Sequence, residues 1–115
     1  MVNQWMESRA APETSLARVG ELAARQALEY ASSRVQRDAD NLGYSFEAVC
    51  KCLEHLGPEH FRRSVRYSPN GPWLDEYLMT YRGPTEHDDP LYIKLKLDRD
   101  CVWIILCSFH REGAL

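Results

Sequence analysis

The residues best equipped for chemistry lie in the C-terminal half of the chain. Over Leu91 to Leu97, alternation puts Tyr92, Lys94 and Lys96 on one side of an extended segment and Ile93, Leu95 and Leu97 on the other. The apolar side must be covered. The cationic side is then either a solvated face or a platform for phosphates and bases. Upstream, His60 to Tyr67 carries three arginines, Arg62, Arg63 and Arg66, and no acid, in a chain whose overall balance is acidic. It is the best local patch for a polyanion. Near the C-terminus, Ser108-Phe109-His110-Arg111 adds an imidazole, which either sits exposed or exchanges protons near neutral pH. Tyr67 and Trp73 are surfaces on which bases can stack, although a tryptophan in a strand also serves as core.

Other chemistries lack their residues. There is no GxGxxG, Walker A, GxSxG or HExxH pattern, which removes the common nucleotide-binding and hydrolase mechanisms. His55, His60 and His87 share no helical or strand spacing, and the four cysteines (Cys50, Cys52, Cys101, Cys107) lack the CxxC spacing of common zinc sites. The cysteines fall in apolar segments and read as buried thiols in a reducing compartment, as against a metal or disulfide site. No metal and no cofactor is expected. Fourteen Lys and Arg against seventeen Asp and Glu give a net charge of -3 and a pI of 5.8, so any polyanion must use a local patch rather than a global field. The longest apolar run, Val102 to Cys107, is far short of the ~18 residues of a membrane helix, and Glu7, Arg9 and Glu13 interrupt any leader. The expectation is a soluble cytoplasmic protein that does not engage membranes.

Positioning these residues falls to one small domain, since 115 residues supply one core. Residues 1–14 lack periodicity and contain Pro12, and they are expected to form a flexible arm from which Trp5 and Met6 can dock; residues 15–115 form the domain. Leu16, Val19, Leu22 and Ala23 make one helical face, with Ser15 as N-cap and an end near Gln26. Ala27 to Ala31 is ambiguous. Ser33 with Gln36 matches a capping box for a second helix to Leu42, ahead of Gly43. Ser45 caps a third, with the stripe Phe46, Val49, Leu53 and Leu56, which Gly57-Pro58 breaks before a short turn through Phe61. Beyond residue 62 the period falls to two. Strands are expected over Ser64 to Tyr67, Trp73 to Met79, Leu91 to Leu97 and Val102 to Phe109, with turns at Ser68 to Gly71 and Asp98 to Asp100. The acidic connection Tyr81 to Pro90 is expected to be exposed and mobile. Helices first and an antiparallel meander second imply an α+β fold, with N-terminal helices packed on a C-terminal twisted antiparallel sheet.

Three blocks, in this order, resemble the MqsR family of toxins. They are Ala39 to Phe46 leading to Cys50; Phe61 with Ser64, Tyr67, Ser68, Trp73, Asp75 and Tyr77; and Tyr92-Ile93-Lys94 ending in Ser108-Phe109. The resemblance runs from about Leu16 to His110 and implies a RelE-like fold. It also implies an endoribonuclease toxin of a toxin-antitoxin system, an mRNA interferase that inhibits translation and growth. The implied partners are mRNA and a cognate antitoxin with a DNA-binding domain, docked on the sheet edge.

The family's essential tyrosine falls on Tyr92 and a functional lysine on Arg63, which keeps the charge. A C-terminal lysine falls on His110, and a glutamine falls on Leu74, which cannot hydrogen-bond through its side chain. On this carry-over Arg63, Tyr92 and His110 are the catalytic candidates, and Arg62, Arg66, Tyr67, Trp73, Lys94 and Lys96 the RNA contacts. Metal-free RNA cleavage needs attack by the RNA's own 2′-OH, a cation at the phosphorane and a proton donor for the 5′-oxygen; Arg63 and Lys94 can supply the charge, Tyr92 can orient the phosphate or relay a proton, and His110 suits proton transfer at neutral pH. The rival reading is a catalytically weakened toxin-like protein that binds an antitoxin and regulates its operon. Leu74 and the acidic balance favour the rival; Tyr92, Arg63 and the basic segment favour the enzyme.

Overall fold

A computed structural model describes residues 5–113. Three helices, α1 (Leu16–Ala24), α2 (Ser33–Asn41) and α3 (Phe46–Leu53), precede most of a six-stranded sheet. Its strands are β1 (Glu7–Arg9), β2 (Leu28–Tyr30), β3 (Phe61–Arg66), β4 (Leu74–Arg82), β5 (Asp88–Leu97) and β6 (Ile104–Arg111), in the order β1-β3-β4-β5-β6-β2. The fold is α+β, with helices against one face of the sheet.

Each helix begins where a serine side chain satisfies an otherwise unpaired N–H: Ser15 accepts from Arg18, Ser32 from Val35 and Ser45 from Ala48. The second cap is Ser32 rather than the expected Ser33. The apolar stripes Val19, Leu22 and Ala23 of α1, Val35 and Ala39 of α2, and Val49, Cys50, Cys52 and Leu53 of α3 meet Tyr77, Met79, Leu91, Ile93, Leu95, Ile104, Leu106 and Phe109 of the sheet. Cys50 and Cys52 are therefore core residues, and burial pushes the Cys50 thiol up to about 11.

Several expectations are corrected. The sheet is mixed rather than purely antiparallel: β3 to β6 form an antiparallel meander, but β2 pairs with β6 in parallel. The ambiguous Ala27 to Ala31 segment supplies β2, because Gln26 at φ 57° turns the chain out of α1 and carries Leu28 into the core. Residues 7–9, expected within a flexible arm, form β1 and pair with β3. The buried Asp75 carboxylate holds the segment that follows, accepting from the N–H groups of Glu13 (2.9 Å) and Thr14 (2.9 Å) and from the hydroxyls of Thr14 (2.7 Å) and Ser64 (2.7 Å). Trp5 and Met6 are both exposed, with Arg66 5.8 Å from the Trp5 ring centre.

The connection expected over Tyr81 to Pro90 shrinks to residues 83–87, since β4 runs to Arg82 and β5 starts at Asp88. Asp89 is buried and accepts from the Tyr44 hydroxyl at 2.7 Å, so this acid is structural rather than mobile. The last strand starts at Ile104, not Val102, because the Asp98 carboxylate binds the N–H groups of Val102 (2.8 Å) and Trp103 (3.0 Å) and makes 98–103 a loop. Cys101 sits in that loop at φ 57° and is exposed rather than buried, and Cys107 is half-buried.

Candidate functional site

The face of the sheet opposite the helices is shaped by two bulges. Phe61 pairs with Tyr77 and Arg63 with Glu76, so Arg62 is an extra residue in β3. Strict alternation would put Arg63 on the same side as Phe61, whose ring meets Tyr77 in the apolar layer at 5.7 Å. The bulge turns Arg63 to the open face. In the same way Lys94 pairs with Ser108 and Leu95 with Leu106, which leaves Cys107 unpaired in β6. Without it, Ser108 and His110 would follow Ile104 and Leu106 into the core; with it, Phe109 is buried and His110 emerges beside Tyr92.

One row of cross-strand partners then reads Arg63, Glu76, Lys94, Ser108, and the next contains Leu78, Tyr92 and His110. Glu76 is the hub. Its side chain is only 3% exposed, and its Oε1 accepts from Arg63 Nε at 2.6 Å. Its Oε2 accepts from the Tyr92 hydroxyl. The Glu76 bond raises the Arg63 pKa further, so the guanidinium stays charged. Burial and then the bond to Glu76 push the Tyr92 phenol far above its usual range, so it remains a protonated hydroxyl. The His110 ring stacks on Tyr92 at 5.1 Å and 14°. His110 Nδ1 donates to the Arg111 carbonyl at 2.8 Å, which leaves Nε2 for proton exchange. Lys94 Nζ donates to the Tyr67 hydroxyl at 2.8 Å and lies 5.9 Å from the Tyr92 ring centre.

A cleft of 570 Å³ opens beside this cluster, between α2 and β6, with Tyr92, Lys94, Ser108 and His110 on its sheet side and Arg34 and Asp38 on its helix side. Arg63, Tyr92, His110, Lys94 and Tyr67 are therefore brought together. Arg62 is the exposed bulge residue at the margin. Trp73, Arg66 and Lys96 stand apart: Trp73 is held between the guanidinium groups of Arg9 (4.2 Å) and Arg66 (4.7 Å). Arg66 is also paired with Glu7, and Lys96 lines a separate cleft with Trp73. Among the described residues no three His, Cys, Asp or Glu side chains converge as a metal-binding group.

The sequence matches the family described as "Motility quorum-sensing regulator, toxin of MqsA" over residues 11–111. The chain belongs to the MqsR toxin family. It is thus a toxin of a toxin-antitoxin system, and the antitoxin partner that the family implies is MqsA. No curated protein matches the sequence. The match takes in both bulges and all of the Arg63, Glu76, Tyr92 and His110 cluster. Glu76 escaped the sequence reading, because one acid beside Asp75 in a strand looks like any other; its only signal was its place between Asp75 and Tyr77, both within the MqsR-like block. No helix among the described residues is long and apolar enough to cross a membrane.

Proposed function

We propose that this MqsR-family toxin is an endoribonuclease that cuts mRNA by attack of a 2′-OH on the neighbouring phosphate, with side-chain charge doing the work a metal does elsewhere. The observation that carries the reading is the joining of Arg63, Tyr92, Lys94 and His110 on one open face beside a cleft, each drawn from a different position along β3, β5 and β6. Arg63 and Lys94 bracket Tyr92 and supply positive charge for the two equatorial oxygens of a phosphorane. The Tyr92 hydroxyl contacts the attacking side, and His110 Nε2 protonates the departing 5′-oxygen. With His110 on the cleft side of Tyr92, the nucleotide that leaves with the 5′-oxygen lies toward Arg34 and α2.

We place mRNA as the substrate because translation is halted most directly there, and MqsA as the neutralising partner. A DNA-binding domain on that partner would couple neutralisation to regulation of the operon. The edge strand β1 exposes backbone groups a partner strand can complete without covering the Tyr92 face. A second reading, a weakened toxin kept for regulation, draws on Leu74 and on the partial neutralisation of Arg63 by Glu76.

The test is the purified chain with an mRNA transcript in EDTA. Products ending in 2′,3′-cyclic phosphate and 5′-hydroxyl, lost in Tyr92→Phe, are expected. Cleavage that needs magnesium and leaves 5′-phosphate overturns the mechanism. No cleavage at all, with antitoxin binding intact, favours the second reading.

A further inference from the structure

We propose that Glu76 is the proton acceptor for RNA cleavage and works through Tyr92, as a buried carboxylate at the far end of a two-step proton relay. The proposal rests on the ribonuclease reading above and adds a residue to it.

A carboxylate that is 3% exposed cannot touch a ribose hydroxyl, yet both of its oxygens have a donor, Arg63 Nε on Oε1 and the Tyr92 hydroxyl on Oε2. An ion pair with Arg63 alone would fulfil a structural role and would have no use for the phenol. Tyr92 spans the gap: its hydroxyl bonds the carboxylate and its side chain lines the cleft. The phenol is held in its protonated form by burial and by Glu76, so it does not act as a phenolate base. It can take a proton only while giving its own away.

The step balances on that basis. As the 2′-oxygen bonds to phosphorus, its proton moves to the Tyr92 oxygen and the Tyr92 proton moves to Glu76. The bond from phosphorus to the 5′-oxygen breaks, and that oxygen takes a proton from His110. Glu76 then returns its proton through Tyr92 to water, and water reprotonates His110. No oxidant, reductant or metal enters.

The titratable and charged groups around Glu76 come from three strands. Arg63 comes from β3, and Lys94, its register partner, and Tyr92 come from β5. Tyr67 takes the Lys94 ammonium, and His110 from β6 stacks behind Tyr92. Asp75 and Tyr77, the neighbours of Glu76 along β4, point to the opposite face. Of these groups, Arg63 and Tyr92 bond the carboxylate directly.

The experiment measures cleavage of a short RNA by the full chain across pH 5 to 9, for wild type, Glu76→Gln, Tyr92→Phe, the double variant and His110→Ala. Glutamine keeps the shape and can still bond both partners, but cannot accept a proton. Its rate should fall on the order of 10²–10⁴-fold with the acidic limb of the pH profile lost, while affinity for a 2′-deoxy, uncleavable analogue stays within about 2-fold. Tyr92→Phe should match it, and the double variant should be no slower than the worse single one, because the two residues act as a unit. A substrate with sulfur in place of the 5′-oxygen leaves without a proton and should restore His110→Ala but not Glu76→Gln. Retention of near wild-type rate in a folded Glu76→Gln chain, multiplicative losses in the double variant, or rescue of Glu76→Gln by the 5′-sulfur substrate overturns the relay alone. If Glu76→Gln does not fold, retention of the acidic limb in Tyr92→Phe overturns it. Absence of any cleavage by the wild type overturns the ribonuclease reading and the relay with it.

Discussion

Arg63→Ala tests whether Glu76 is truly buried and paired. In the native chain the carboxylate has two donors, and the Arg63 Nε bond at 2.6 Å is the one that carries full charge. Truncating Arg63 leaves a side chain that is 3% exposed with the Tyr92 hydroxyl as its remaining partner. Removing one member of a buried ion pair costs about 3–5 kcal/mol. Arg63 is 39% exposed, so water enters the vacated place and solvent screening weakens the native pair, which brings the expected loss to about 2–3 kcal/mol. Glu76→Gln removes the charge while its amide can still bond both partners, and should cost about 1 kcal/mol. In the double variant the penalty for the abandoned carboxylate disappears, so a double-mutant cycle should return a coupling of about 1–2 kcal/mol. Urea unfolding at pH 7 measures all four chains, with the slope unchanged and only the midpoint displaced. An Arg63→Ala chain within about 0.5 kcal/mol of wild type would refute the buried pair. The result also governs how activity is read, because cleavage by Arg63→Ala means little above the temperature at which that variant melts.

Three other outcomes follow from the same physics. Burial raises Tyr77 to about 12 and pushes Tyr44 and Tyr92 higher still. A pKa raised in the native state favours folding fully below pH 10 and loses that contribution above it, so stability should fall by up to ~1.4 kcal/mol per pH unit for each such tyrosine from pH 10 upward; phenolate absorbance that completes before the far-ultraviolet signal is lost would contradict this. Asp75→Asn strands donors at Glu13, Thr14 and Ser64 and should cost about 2–4 kcal/mol while speeding amide exchange selectively over residues 7–14; uniform exchange rates would show that Asp75 is not the anchor. A Cβ at Gly83 collides with the Tyr44 hydroxyl and the Asp89 carboxylate, so Gly83→Ala should lower stability by about 1–3 kcal/mol, with an unchanged urea midpoint as the contrary result.

The helices were legible because their signals are local. A stripe such as Val19, Leu22 and Ala23 and a serine at each N-terminus act within a few residues, and the structure retains them to within a residue or two, save that α3 ends at Leu53, three residues short of the stripe's last member Leu56. Strand β5 was legible for a similar reason: its alternation is unbroken, so Tyr92, Lys94 and Lys96 face away from the core as expected. The two short edge strands were not. Three residues contain less than two periods of any pattern, and β1 and β2 exist because β3 and β6 offer them hydrogen bonds from residues 50 or more positions away. Asp98 and Asp89 misled for the same reason, since an acid that binds backbone N–H groups or a buried hydroxyl is indistinguishable in sequence from one in a solvated loop.

The site itself depended on what alternation cannot reveal. Counting from Phe61, which packs against the core, a regular strand turns Arg63 inward; counting from Ile104, it buries His110. Either placement would put a cation in the apolar layer and strip the open face of half its chemistry. Resemblance to the family drew attention to both residues without saying how they reach Tyr92. The structure supplies the means: one unpaired residue, Arg62 in β3 and Cys107 in β6, reverses the facing of everything beyond it on each strand. Neither bulge residue has to take part in the chemistry. Arg62 is exposed and Cys107 is half-buried, its thiol shifted up by burial rather than activated. Their contribution is positional, and it delivers Arg63 and His110 to opposite sides of the Glu76 and Tyr92 pair.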